Sequence, residues 1–277
     1  MSLVAFLSLM RTHFLNRSAF AASFYEVYTE TYKHNDNAFS CRRKSDDQEF
    51  FVKRVRKESH EPQFAEQCVS RYNVKYHEYV SPFLVLEHLD GGDLLSFINS
   101  NTLEVSEIFI LLKDMLSGLA VLHDNGIIHC DIKPENFVFA ESDCAIDPNV
   151  QGNIKLVDYG SARKSSDTES ELTGTLPYVA PEVFERSKVS EKSDVYALGC
   201  IAFLLVTGEP LVDPSLSDEE IVKLVMDENF PNNRFKGTEG DLLRFVRLLV
   251  SRDPKERPTV QQALAELETV ALIQQTV

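Results

Sequence analysis

The sequence has no tryptophan, no Cys-x-x-C pair, no internal repeat and no low-complexity tract. Its longest strongly apolar run, Val195 to Val206, falls short of the ~20 residues that cross a bilayer, so stable membrane insertion is excluded and the run reads as a buried helix. Five cysteines, Cys41, Cys68, Cys130, Cys144 and Cys200, are an odd number without metal-ligand spacing. They argue against a disulfide framework or a structural zinc site and fit an intracellular protein of the cytoplasm or nucleus. Glycine and proline, 11 of each in 277 residues, are too sparse for a collagen or a disordered chain. Basic residues are also short: 28 Lys plus Arg face 43 Asp plus Glu, a formal charge of −15. Such a surface repels phosphate backbones and anionic lipid, which argues against nucleic acid as a partner; it would draw in a basic protein substrate, and it equally fits a solvated acidic surface that keeps the protein soluble.

What is present is ample chain for one large domain or two lobes, at about 150 residues per domain. From 24 to 89 the pattern is β-rich, with runs at Phe24 to Thr31, Phe39 to Lys44, Glu49 to Val55, Asn73 to Val80 and Phe83 to Leu89. One helix interrupts them, opening at Pro62 with Phe64, Ala65, Cys68, Val69 and Tyr72 at helical spacing. After Asp90-Gly91-Gly92 the period changes, and residues 90–277 read as mainly helical. Ile108, Leu111, Leu112, Met115, Leu116, Leu119 and Leu122 form one stripe that stops at Asn125-Gly126. Ser217 to Glu220 is a capping box, Asp241 to Val250 forms another helix, and Pro258 begins a last one. Residues 1–23 form an N-terminal extension free of acid, with Arg11, His13 and Arg17. A helix packed on the body of the protein is preferred there to a mitochondrial transit peptide.

The residues that carry chemistry lie in the second region. His129-Cys130-Asp131-Ile132-Lys133-Pro134-Glu135-Asn136 is followed by Asp158-Tyr159-Gly160 and then by Ala180-Pro181-Glu182. In that order these segments resemble the H-R-D-L-K-x-x-N, D-F-G and A-P-E signatures of eukaryotic protein kinases. The resemblance implies an α+β, bilobal fold with a small antiparallel β lobe carrying one helix and a larger, mainly helical lobe. It implies transfer of the γ-phosphoryl of Mg-ATP to protein. Asn136 and Asp158 would hold Mg²⁺, Asp131 would take or orient the proton of the acceptor hydroxyl, and Lys133 would steady the phosphoryl group.

In the first lobe Lys53 would meet the α and β phosphates of ATP and pair with a helix glutamate. Glu66 is the expected partner, ahead of Glu61, which stands before Pro62 at the helix start. Leu86 would be the gatekeeper, Glu87 and Leu89 would offer backbone groups to adenine, and Asp93 would meet ribose or a substrate arginine. Asp194 would bond the catalytic-loop backbone, and Arg257 would pair with Glu182. Gly174-Thr175 and Tyr178 resemble the G-T-x-x-Y stretch of serine/threonine kinases, with Thr175 bonding Asp131 and Lys133.

Three positions depart from the family. Where it has G-x-G-x-x-G, this chain has Tyr32, Lys33, His34, Asn35, Asp36 and Asn37, with no glycine to bring backbone against phosphate. Asn and Asp tolerate left-handed turns, and Lys33 is a substitute phosphate contact. Phe51 replaces a small alanine over the adenine ring; overpacking of about 1–3 kcal/mol there lowers nucleotide affinity by roughly tenfold or more. Cys130 replaces the H-R-D arginine, so the segment with Ser165, Ser166 and Ser170 is not expected to be switched by phosphorylation in the usual way, and the thiol itself is expected to be buried and inert. The reading is a protein serine/threonine kinase; its runner-up is a pseudokinase scaffold, and a small-molecule kinase comes third. Substrate and oligomeric state stay open.

Overall fold

In the computed structural model, residues 22–141, 146–147, 149–167, 173–186, 188–236 and 240–275 are described. The basic N-terminal residues, Asp143, Cys144, Pro148, Ser170 and Leu172 lie outside them. By its contacts the chain divides into two compact units. Of the described residues, one holds 22–66 together with Lys75–His88, and the other holds Gln67–Val74 and those from Leu89 onward.

Alternation along the third strand sets the faces of the first unit. In β3 (Glu49–Arg54) Phe50 and Val52 are buried while Phe51 and Lys53 face the other way. The buried rows of β2 (Ala38–Arg43), β3 and β5 (Phe83–Glu87) meet in one core of Phe39, Cys41, Phe50, Val52, Phe83 and Val85, joined by Phe24 and Tyr28. With β1 (Tyr28–Asn35) and β4 (Tyr76–Val80) they form an antiparallel sheet of order β1-β2-β3-β5-β4.

Two expectations fail here for packing reasons. The first predicted strand begins at Tyr28, because residues 22–27 are helical. That helix (α1) sets Phe24 four residues before Tyr28, and their rings stack at 4.8 Å while Phe24 also reaches Phe83 at 4.4 Å. Burying the two rings in one core outweighs β propensity. At the other end β1 continues through Asn35, across positions expected to be a loop.

Residues 67–74, expected in the β lobe, cluster with the helical unit. The backbone explains it: Leu156 N–H donates to Tyr72 O at 2.9 Å and Val74 N–H to Leu156 O at 3.0 Å. The segment also crosses α4 (Val105–Asp124) where only glycine fits, since a Cβ on Gly118 would lie 2.8 Å from Tyr72 O.

The second unit is organised by α4 and α6 (Glu191–Thr207). The α4 stripe from Ile108 to Leu122 is buried as expected, and the helix ends at Asn125 before Gly126 at φ +66°. It packs on α6, on β8 (Ile154–Leu156) and on α9 (Val260–Gln275). The apolar run of α6 is buried from Val195 to Phe203, and the helix opens with a Ser190/Ser193 capping box. Around these lie α3 (Leu94–Ser100), α5 (Pro181–Arg186), α7 (Asp218–Met226), capped by Ser217 and Glu220, and α8 (Asp241–Leu249). The last helix starts at Val260, two residues after Pro258. Thr259 caps it, exchanging bonds with Gln262 at 2.8 and 3.2 Å. Among the described residues no helix is long and apolar enough to cross a membrane.

Candidate active site

The loop from His129 to Asn136 follows β6 (Ile127–Ile128), which pairs with β9 (Arg163–Lys164). Its backbone is gripped from outside by Asp194 near the start of α6. The Asp194 carboxylate, 2% exposed, accepts from His129 N–H at 2.8 Å, Cys130 N–H at 3.0 Å and His123 Nε2 at 3.0 Å. Three donors and a helix N-terminus compensate a charge that would otherwise be costly to bury. The grip also holds Cys130 in the left-handed region at φ 67°, where a non-glycine residue is strained. Gly174, at φ +105°, lies against the same turn: a Cβ there would come within 2.9 Å of Cys130 O.

The strained turn presents Asp131 to a compact polar cluster. Asp131 Oδ1 accepts from Thr175 Oγ1 at 2.8 Å, and Asp131 Oδ2 meets Lys133 Nζ at 2.9 Å and Asn136 Nδ2 at 3.4 Å. Lys133 Nζ also donates to Thr175 Oγ1 at 3.1 Å, and Asn136 Nδ2 to Asp131 O at 2.8 Å. His129 supports the cluster from beneath. Its Nε2 donates to Val157 O at 3.1 Å, which leaves Nδ1 to accept Asp131 N–H at 3.3 Å.

Asp158 arrives beside this cluster through a short ladder. β7 (Phe137–Phe139) pairs antiparallel with β8 in the register Phe137↔Leu156, and Val157 N–H donates to Asn136 O at 2.9 Å. Asn136 and Asp158 therefore end adjacent strands. Asp158 is exposed, sits at φ 60°, and accepts from Gly160 N–H at 3.0 Å.

Four expected residues lie together, then: Asp131, Lys133, Asn136 and, one residue beyond the ladder, Asp158. The side-chain oxygens of Asp131, Asn136 and Asp158 are of the kind that suits a hard divalent cation. Among the described residues no three His, Cys, Asp or Glu side chains group to hold a metal alone.

Within the sheet unit Lys53 pairs with Glu61, at 2.7 Å, and not with Glu66. Glu61 is 4% exposed in the first turn of α2 (Glu61–Gln67), where the helix N-terminus favours a carboxylate. Glu66 is five residues on, about 140° round the helix, and exposed. The assumption that a residue before Pro62 is too early to serve is wrong because the helix has only two turns. Leu86 is buried in β5 opposite Phe51. The Glu87 amide donates to Lys75 O at 2.9 Å, its side chain accepts from Lys75 N–H at 2.6 Å, and Leu89 follows outside regular secondary structure. Asp93 caps α3, each carboxylate oxygen accepting from Ser96, at 2.8 and 2.9 Å.

The hairpin that stands where a glycine loop was sought is closed on itself. It turns at Asp36-Asn37, neither in the left-handed region; the Asn35 side chain accepts from Asn37 N–H at 2.8 Å, and Lys33 is held by Asp36 at 2.6 Å. The β1 register shifts between Lys33 and Asn35, and such bulges re-aim side chains. His34, in that shift, bonds Ser40 at 2.8 Å; its ring is tilted against that of Phe51 at 5.5 Å and meets Tyr32 edge-on at 4.8 Å. Ser40 pairs with Phe51, and Ala38 with Lys53, so Phe51 of this aromatic cluster shares a sheet face with Lys53. The Lys53–Glu61 pair fits a triphosphate; the hairpin does not form a glycine cradle for one.

Cys130 is mostly buried, and burial beside Asp194 pushes its thiol well above the ordinary value. Arg163 donates to Thr173 Oγ1 at 3.1 Å, and Ser165 Oγ donates to Glu191 at 3.0 Å. The Arg257 guanidinium grips Glu182 with two bonds, at 2.6 and 2.8 Å. The His34–Phe51 contact and the buried role of Asn73 were not legible in the sequence, where Asn73 is one of several polar residues of the run Asn73 to Val80.

A family model described as the protein kinase domain matches residues 36–267. Similar curated proteins include a probable myosin light chain kinase of Dictyostelium discoideum, 33% identical over 66% of this chain and 37% of its own length. A calcium/calmodulin-dependent serine/threonine-protein kinase of Malus domestica is 30% identical over 71% of the chain and 46% of its own length. A calcium and calcium/calmodulin-dependent serine/threonine-protein kinase of Lilium longiflorum is 32% identical, over 65% and 34%. The chain thus spans less than half the length of the curated relatives it matches.

Proposed function

This chain belongs to the protein kinase family, and we propose that it is a protein serine/threonine kinase that transfers the γ-phosphoryl of Mg-ATP to a serine or threonine of a basic protein. The observation that carries the proposal is the cluster of Asp131, Lys133 and Thr175, in mutual contact at 2.8–3.1 Å beside Asn136. Asp131 orients the acceptor hydroxyl and takes its proton; Lys133, beside it, offsets charge on the transferring group. Asn136 and Asp158 are the residues that would hold Mg²⁺. Bound Mg-ATP supplies the phosphoryl group and the cation that neutralises its charge. Lys53, fixed by Glu61, is the cation for the α and β phosphates. Thr175 bridging Asp131 and Lys133 supports serine or threonine as acceptor, and the charge of −15 supports a basic protein as substrate.

A second reading, a scaffold without transfer, is favoured by the His34–Phe51 contact on the face that carries Lys53. Labelled-ATP transfer to a generic basic protein, run beside Asp131→Asn, decides between them. The kinase reading expects the variant to lose about 100-fold or more. Equal signal from both proteins overturns it, and a thermal shift absent with Mg-ATP selects the scaffold.

A further inference from the structure

Beneath Asp158 lies a polar group that the transfer chemistry does not use. Asn73 is fully buried, between β8 and α4. Its amide donates to Gly118 O at 3.1 Å and to the Tyr159 hydroxyl at 3.2 Å, and its Oδ1 accepts from Ser70 Oγ at 2.5 Å. Tyr159 is 2% exposed, and its ring meets the edge of His129 at 5.9 Å. A buried amide with every group engaged is stiff, and it is costly to leave half satisfied.

Tyr159 directly follows Asp158, whose φ of 60° is a conformation that persists only where neighbours enforce it. On the far side of Asp158, Val157 is fixed by its bonds to Asn136 and His129. The Tyr159 side is fixed by packing against His129 and by the bond to Asn73. A phenylalanine at this position could pack alike but could not accept that bond.

We propose that Asn73 and Tyr159 are a positioning pair whose buried hydrogen bond holds the strained Asp158 backbone and so aims its carboxylate. The role of that carboxylate in holding Mg²⁺ rests on the function proposed above; the positioning does not.

The test is hydrogen exchange of the 156–162 segment in the nucleotide-free protein, for the parent, Tyr159→Phe, Asn73→Leu and the double variant. Gly160 N–H, which donates to Asp158 Oδ1, is the reporter. Tyr159→Phe removes one oxygen and keeps the ring, and it is expected to speed exchange there by up to about tenfold. The effects of the two single variants are expected to be less than additive in the double variant, because the Asn73–Tyr159 bond is lost in each of them. In transfer assays Tyr159→Phe should raise the Mg²⁺ concentration for half-maximal rate while leaving the KM for protein substrate unchanged. Exchange within about twofold of the parent in Tyr159→Phe, or single effects that simply add, overturns the pair. Absent transfer in the parent would count against the kinase reading alone, since exchange still decides the pair.

Discussion

In the helical unit the loop His129 to Asn136 is held by residues remote in the chain: Asp194 grips its backbone from α6, Thr175 closes on Asp131, and Val157 anchors Asn136 and His129. In the sheet unit the hairpin around Asp36-Asn37 is held by its own neighbours, through Lys33–Asp36, Asn35–Asn37 and His34–Ser40. The difference is one of tolerance. A loop that depends on distant side chains can keep two left-handed residues, Cys130 and Asp158, only while those side chains remain. A hairpin that satisfies itself can lose every glycine and still fold, though what it then presents has changed from open backbone to an aromatic cluster.

The contrast breaks most sharply at Asp194. Asp194→Ala orphans the His129 and Cys130 amides and His123, and we expect a loss of about 3–5 kcal/mol in urea unfolding, with transfer lost alongside. An unchanged midpoint would show that the loop does not need its outside support. On the sheet side the expected effect is smaller and of opposite sign. Phe51→Ala opens the face shared with Lys53 and should tighten nucleotide binding by about tenfold, read by calorimetric titration; unchanged or weaker binding would mean that Phe51 does not obstruct it. Least of all is expected from Lys33→Ala. That pair is largely exposed, 60% and 93%, so Tm and nucleotide affinity should both stay put. A marked loss of affinity would make Lys33 a phosphate contact after all.

The legibility of the molecule follows the same division. Residue types in the loop were readable because the cluster needs those particular groups at those short spacings, and the β7–β8 ladder then sets Asn136 beside the strand leading to Asp158. The long helices were readable because α4 must bury one stripe and α6 nearly its whole surface. Residues 22–27 were misread because Phe24 and Tyr28 carry β propensity, while their stacking in the sheet core requires a helical turn. Lys53 was assigned the wrong glutamate because spacing along a chain says nothing of where a two-turn helix begins relative to a strand. Asn73 gave no sign of its partner, since Tyr159 is 86 residues away.

By itself the sequence determined which chemical groups are available, where the long helices run, and that glycine is missing from the first hairpin; each of these depends on residue identity and local period alone. Tertiary structure alone decided that Glu61 neutralises Lys53, that His34 turns onto Phe51 and that Asn73 meets Tyr159. Those choices belong to packing, in which a side chain takes the partner that the fold brings within about 3–6 Å, however far off it lies in the chain.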